Sequence, residues 1–215
     1  MKKIVIIGAG GFGRECKLII DRINAQKKQF ELIGFYDDDL NLNSDIHGIP
    51  NKGELQNLID SNEKVGVVLG VGVPHVKAAI IKRLKSNTNL DYPTIIDPSA
   101  IIGSDKVTIG KGNVICAGVI ITCDIDIKDY VTLNLSCTVG HDTTINSYAS
   151  FMPSVNISGE VIIDENVYVG TGAKIINQLT IGKQTIVGAG AVVSKSLPEK
   201  CTAVGIPAKP IKFHD

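Results

Sequence analysis

From residue 109 to residue 193 a large apolar side chain returns at every sixth position. The series is Ile109, Ile115, Ile121, Ile127, Leu133, Val139, Ile145, Phe151, Ile157, Ile163, Val169, Ile175, Ile181, Val187 and Val193. An α-helix would repeat near 3.6 residues and a half-buried strand at 2, so neither ordinary element explains a period of six. Hexapeptide repeats mark a parallel β-helix, in which each hexad supplies one short strand and a corner. Four residues after most of these positions stands a small or β-branched side chain, including Val119, Ile125, Val131, Thr143, Ala149, Val155, Val161, Val167, Ala173 and Ala191. Two inward positions per hexad therefore fill a narrow prism. Upstream the phase slips by one residue, with Ile102 and Ile96 leading a shorter run. A β-sandwich would need a period of two and turn signals every 8 to 12 residues or so.

The first ninety or so residues follow a different rule. Lys3 to Ile7 is a continuous aliphatic run, as expected of a parallel strand buried on both faces, and Gly8-Ala9-Gly10-Gly11-Phe12-Gly13 ends it. From Arg14 the spacing becomes helical, with Cys16, Ile19, Ile20 and Ile23 on one face. A second strand, Glu31 to Tyr36, runs into Asp37-Asp38-Asp39. Leu55, Leu58 and Ile59 predict a short helix, Val65 to Val71 a third strand, and Pro74 opens a helix that buries Val76, Ala79, Ile80 and Leu84. This alternation predicts a small parallel α/β domain. Tyr92-Pro93-Thr94 is the joint, giving an α/β domain over residues 1–92 and a β-helix over 93–215.

Composition narrows the function classes. Lys and Arg total 22 and Asp and Glu 22, with no basic stripe, so the electrostatic footprint of nucleic-acid binding is missing. Five cysteines without a CxxC pair read as reduced apolar side chains rather than a disulfide framework. No apolar stretch approaches the roughly 20 residues of a membrane span, and Gly8, Arg14 and Glu15 interrupt any signal-peptide pattern. A soluble cytoplasmic protein is expected.

Two stretches carry candidate chemistry. Gly8, Gly10 and Gly13 satisfy the dinucleotide fingerprint, and Asp37 or Asp38 stands about where an acidic residue would meet a ribose. A full dinucleotide fold needs two such halves, and the repeat begins before a second could form, so a mononucleotide or nucleoside-diphosphate ligand fits better. The bland alternatives are a tight strand-to-helix turn for the glycines and a solvated loop for the aspartates. The second stretch is Leu133-Asn134-Leu135-Ser136-Cys137-Thr138-Val139-Gly140-His141-Asp142-Thr143. Phase turns Val139 inward and brings His141 to a corner, where Asp142 could hold the imidazole tautomer for general-base work; the alternative is a plain surface pair. The same phase puts Cys137 in the core. His47, His75 and His214 are expected to be ordinary surface residues, and no metal-ligand spacing occurs, so no catalytic metal is expected.

Taken together, IVIIGAGGFGRE, GFYDDD, LNLSCTVGHDTTI and IGKQTIVGAGAVVSKSLPEKCTAVGIPAKPIK resemble the hexapeptide-repeat nucleotide-sugar N-acetyltransferases, the group related to sialic-acid O-acetyltransferases. The resemblance implies a Rossmann-like α/β domain followed by a left-handed parallel β-helix. It further implies a homotrimer with active sites at subunit interfaces, acetyl-CoA as co-substrate, and a nucleotide-linked amino sugar as acceptor. That acceptor would be a 4-amino-4,6-dideoxy sugar, acetylated for surface glycan or O-antigen biosynthesis. Matched residue by residue, His141 is the general base, Asp142 its acidic neighbour and Asn134 the asparagine upstream. Ser150, Thr171, Ala189, Ile206 and Pro207 match acetyl-CoA contacts, while Gly10, Gly11, Phe12, Asp37, Asp38 and Gly72 match the nucleotide-sugar site. Ser150 departs from a histidine often found there, Ala189 from a glycine of some relatives, and Asp142 from a glutamate. Acetylation of a sialic-acid or other sugar hydroxyl would use the same base. A non-catalytic nucleotide-binding trimeric scaffold would leave His141 idle, and an NAD-dependent oxidoreductase would rest on the glycine fingerprint alone.

Overall fold

A computed structural model describes residues 1–39 and 41–214. The N-terminal domain is a four-stranded parallel sheet, ordered β2 (Phe30–Tyr36), β1 (Lys2–Ile7), β5 (Val65–Leu69), β6 (Leu90–Asp91). Along β1 the side chains alternate between two cores, which is why its sequence is apolar without a break. Ile4 and Ile6 pack with Cys16, Ile19, Ile20 and Ile23 of helix α1 (Gly11–Gln26). Val5 and Ile7 meet helices α2 (Leu55–Ile59) and α3 (Pro74–Leu84) on the opposite face. Helix α1 starts earlier than its apolar face suggests, because its first turn is built from glycines that carry no helical pattern. A side chain at Gly13 would put its Cβ 1.8 Å from the Gly8 carbonyl oxygen. Strand β5 stops at Leu69, short of Val71, since Gly70 turns there against Gly13, whose Cα lies 2.6 Å from where a Cβ would stand. The β3–β4 hairpin (Asp45–Ile46, Ile49–Pro50) and β6 left no legible pattern, being two residues per strand.

From Ile95 onward, strands of two or three residues wind into three walls of a β-solenoid, in sheets of eight, six and five strands. Ile115 pairs in register with Leu133, Leu133 with Phe151, Phe151 with Val169 and Val169 with Val187, three hexads apart each time. In the first turn Ile102 instead pairs with Ile121, one residue further on, which absorbs the phase slip between Ile102 and Ile109. The large and small inward series fill a single core from Ile115 to Ala203. Each enclosed Val, Ile, Leu or Phe stabilises by about 1.5–3 kcal/mol, so the repeat itself is the main source of stability. Between strands the chain bends through left-handed residues, and from Gly118 to Gly190 one recurs every six positions.

The α/β domain sits on the first, eight-stranded wall. Ile95, Val114 and Cys116 of that wall complete the core beneath α1, and Tyr130 completes the one beneath α3. Among the described residues two side-chain ties cross the junction. Arg22 Nε meets the buried Asp97 at 2.9 Å, and Lys77, only 1% exposed, reaches from α3 to three solenoid oxygens. At the far end the strand Cys201–Gly205 extends the first wall in parallel and then pairs antiparallel with Ala208–Phe213. Among the described residues no helix is long and apolar enough to cross a membrane.

Candidate active site

The candidate residues of the α/β domain meet at one edge of its sheet. Strands β1, β2 and β5 end at Ile7, Tyr36 and Leu69, so the turns carrying Gly10 to Phe12, Asp37 and Asp38, and Gly72 all leave from their carboxyl ends. This is where an open parallel sheet offers a crevice. The glycines divide by role. Gly8, with φ +95°, and Gly13 are required by the backbone itself, whereas Gly10 and Gly11 have open space where a Cβ would stand. Gly10 is the N-cap of α1 and has no side-chain cap, so the amides of the first turn remain available to an anion. Both aspartates have partners within the protein. Asp37 Oδ2 accepts the Ala9 amide at 2.7 Å, which ties the glycine turn to the end of β2. Asp38 accepts the Leu55 amide at 2.9 Å and Arg83 at 2.9 Å, and these bonds, the amide first, lower its pKa.

In the solenoid, His141 and Asp142 occupy the corner after the second-wall strand Thr138–Val139. Val139 is buried, and the side chains of His141 and Asp142 are 56% and 58% exposed. His141 Nδ1 lies 2.8 Å from Asp142 Oδ2. A neutral ring that donates Nδ1–H to that carboxylate carries its lone pair on Nε2. Asp142 reaches this position through a left-handed φ of 55°. The ring lies across Gly159, one turn further on, where a Cβ would come within 2.5 Å of both Cε1 and Nε2. Sequence reasoning did not single out Gly159. Its place 18 residues after His141, on the same corner of the next turn, was the available signal.

Asn134, Thr171 and Ala189 belong to a different corner, between the first and second walls. Asn134 is nearly buried and its Oδ1 accepts the Leu135 amide at 2.7 Å. Thr171 and Ala189 are exposed on successive turns, joined by the Gly190 amide donating to the Thr171 carbonyl at 2.8 Å. Ile206, 77% exposed, and Pro207 form the tip of the final hairpin. Ser150 stands apart from these. It faces outward from the first wall where α3 covers it, so it is wholly enclosed and its Oγ has no hydrogen-bond partner. A direct side-chain contact from Ser150 to a ligand is closed in this arrangement. Below the start of α3 a cavity of about 520 Å³ is lined by Val73, Pro74, His75, Tyr168, Ile186 and His214. Two of the three other histidines border this open hollow, His75 remaining exposed as expected, and His214 Nε2 lies 2.9 Å from Thr202 Oγ1.

Cys137 lies in the core, as its phase predicted, with Sγ 3.2 Å from the Met152 carbonyl and burial pushing its pKa up to about 11. A thiol so held is no nucleophile at neutral pH. No cluster of His, Cys, Asp or Glu that could hold a metal ion occurs among the described residues.

An α/β domain seated on a hexapeptide solenoid, with a carboxylate-held imidazole at a solenoid corner, defines an acyltransferase architecture. Comparison with known proteins agrees. Residues 3–84 match the family model for the PglD N-terminal domain. The acetyltransferase domain of PglB from Neisseria gonorrhoeae superposes with a TM-score of 0.89 at 29% identity, covering 98% of this chain and 100% of that one. Perosamine N-acetyltransferase from Caulobacter crescentus gives 0.85 at 28% identity, covering 99% and 98%. GDP-perosamine N-acetyltransferase of Escherichia coli is 29% identical over 224 residues, 96% of this chain and 95% of that protein. The 37% identity to a Buchnera aphidicola serine acetyltransferase extends over 130 residues, and the chain spans only 44% of that enzyme's length. The chain belongs to the PglD-type family of hexapeptide-repeat acetyltransferases.

Proposed function

We propose that the protein transfers the acetyl group of acetyl-CoA to the amine of a nucleotide-linked amino sugar, of the 4-amino-4,6-dideoxy type. His141 is the general base. The observation that carries this reading is the His141–Asp142 pair at 2.8 Å, which holds Nδ1 and leaves Nε2 free to accept a proton. The neutral amine attacks the thioester carbonyl carbon while Nε2 takes its proton. The tetrahedral intermediate then expels the CoA thiolate, which recovers that proton from the imidazolium, leaving an amide and CoA. The relatives support the choice of substrates. The Caulobacter enzyme was crystallised with CoA and GDP-perosamine, including mutants with a histidine replaced by asparagine or alanine, and the Neisseria domain with acetyl coenzyme A.

In this reading the amides of Gly10, Gly11 and Phe12 receive the nucleotide phosphates, with Asp37, Asp38 and Gly72 beside the base and ribose. Acetyl-CoA runs past Asn134, Thr171 and Ala189 toward Ile206 and Pro207. Within one copy these residues and His141 flank opposite ends of the strand Thr138–Val139. A homotrimer that sets the His141 corner of one copy against the Asn134 corner of the next would complete the site, in the cytoplasm, where precursors of surface glycans such as O-antigen are made.

The test is thiol release from acetyl-CoA with UDP-, GDP- and dTDP-linked 4-amino sugars, and in parallel with free and CMP-linked sialic acid. Turnover of an amino sugar is expected, and His141→Asn should lower kcat by about 10²–10⁴-fold with the fold intact. Turnover of sialic acid alone would make this an O-acetyltransferase. Nucleotide binding without thiol release would make it a scaffold.

A further inference from the structure

Lys77 is fully enclosed and has no acidic partner among the ion pairs of the described residues. Its Nζ lies 2.7 Å from the Tyr130 carbonyl, 3.1 Å from Thr132 Oγ1 and 3.2 Å from the Ala149 carbonyl. Three oxygens match the three N–H donors of an ammonium, whereas a neutral amine would leave one of them unpaired. The oxygens also have a meaning in the fold. Thr132 opens and Ala149 closes the single solenoid turn that carries both Asn134 and His141, and the Thr132 amide already donates to the Ala149 carbonyl at 3.0 Å. On its other side Lys77 belongs to the first turns of α3, where its amide donates to the Val73 carbonyl at 3.1 Å. Val73 directly follows Gly72, whose Cβ position would be 3.6 Å from Met152 Cε on the solenoid. Burial without a counter-ion is costly and pulls the lysine pKa well below its usual value. A surface tether would avoid that cost.

We propose that Lys77 is a positioning residue: its ammonium locks the acceptor-holding edge of the α/β domain to the solenoid turn bearing Asn134 and His141, and so sets where the acceptor amine is presented. The inference rests on the reading that the α/β domain holds the acceptor.

Lys77→Met keeps length and apolar bulk and removes the donors. It should raise KM for the nucleotide-linked amino sugar by about tenfold or more, the size expected for hydrogen bonds to a charged group. KM for acetyl-CoA should stay within about twofold. Thr132→Val, which removes one acceptor, should raise the same constant less, and should add nothing in the Lys77→Met background. The proposal falls if both KM values rise together, if neither changes, or if the two substitutions multiply. Should Lys77→Met not fold, Thr132→Val decides: a raised acceptor KM supports the proposal and an unchanged one overturns it. Should the wild-type protein turn over no amino sugar, the proposed function fails separately and amide hydrogen exchange decides. Faster exchange in Lys77→Met across both α3 and residues 131–149 supports the lock, and faster exchange in α3 alone overturns it.

Discussion

Gly159 shows how a residue with no side chain can govern one that has chemistry. The imidazole of His141 rests on it, and a methyl group there would occupy the space of Cε1 and Nε2. Gly159→Ala must therefore move the ring or the backbone of the bend, and the ring is the freer of the two. We expect a fall in kcat of about tenfold or more with little change in either KM and an unaltered far-UV spectrum, because on the proposed function a displaced His141 no longer meets the proton while both substrates still bind. The corner placement of His141 and Asp142 was legible from their phase in the repeat, since the inward Val139 fixes the corner two residues later. The contact with Gly159 was hidden because it joins residues 18 apart, and only the stacking of turns makes them neighbours. The cysteines make a second expectation at this scale. Burial pushes Cys116 up to about 12 and Cys137 to about 11, and Cys123 alone of the five is not buried. Thiol titration of the native protein near neutral pH should find one accessible group, with four more on unfolding. Their raised values add stability that is fully present below the pKa of an unfolded thiol, near 8.5, and is lost as pH rises through 11 to 12. The melting temperature should accordingly drop between pH 9 and 11, and Cys116→Ala with Cys137→Ala should flatten that drop.

At the scale of the element, the hexad was read from the sequence because every large inward position from residue 109 to residue 193 is apolar and nothing else in the chain competes with that rhythm. The α/β elements were legible where both faces of a strand or one face of a helix are buried. They were not where a turn of glycines opens α1, nor where strands run for only two residues. The solenoid sets a sharp condition on length. A turn is three hexads, so removing residues 156–173 takes out one whole turn and rejoins like positions, Val155 to Lys174 replacing Val155 to Asn156. Removing one residue shifts every later inward side chain out of the prism. The first deletion should still give a cooperative thermal transition and a β-rich spectrum, and the second should not, although it is far smaller.

At the scale of the molecule, two domains of different construction share one wall. The change of pattern along the chain told of two units, and nothing in it told how they meet. The reason is chemical: beside its shared apolar core the junction carries Arg22 on Asp97 and Lys77 on two backbone carbonyls and a hydroxyl, and a lysine within an amphipathic helix reads as solvent-facing until a second domain closes over it. The partition of the candidate site has the same origin. Its parts lie at one edge of a sheet and at two corners of a prism, and only the assembled chain reveals which of them share a neighbourhood.

The hairpin of Cys201–Gly205 and Ala208–Phe213 bears on how readily the first wall could pair with another molecule. A stack of parallel strands can in principle grow from its open end by accepting another molecule's strands, as cross-β filaments do. Here the first wall ends by reversing direction at Ile206 and Pro207, so the outermost strand, Ala208–Phe213, runs antiparallel and sets Lys209, Pro210 and Lys212 along its rim. One change of heading leaves that rim with a proline that cannot donate and with charges that repel a second rim like it.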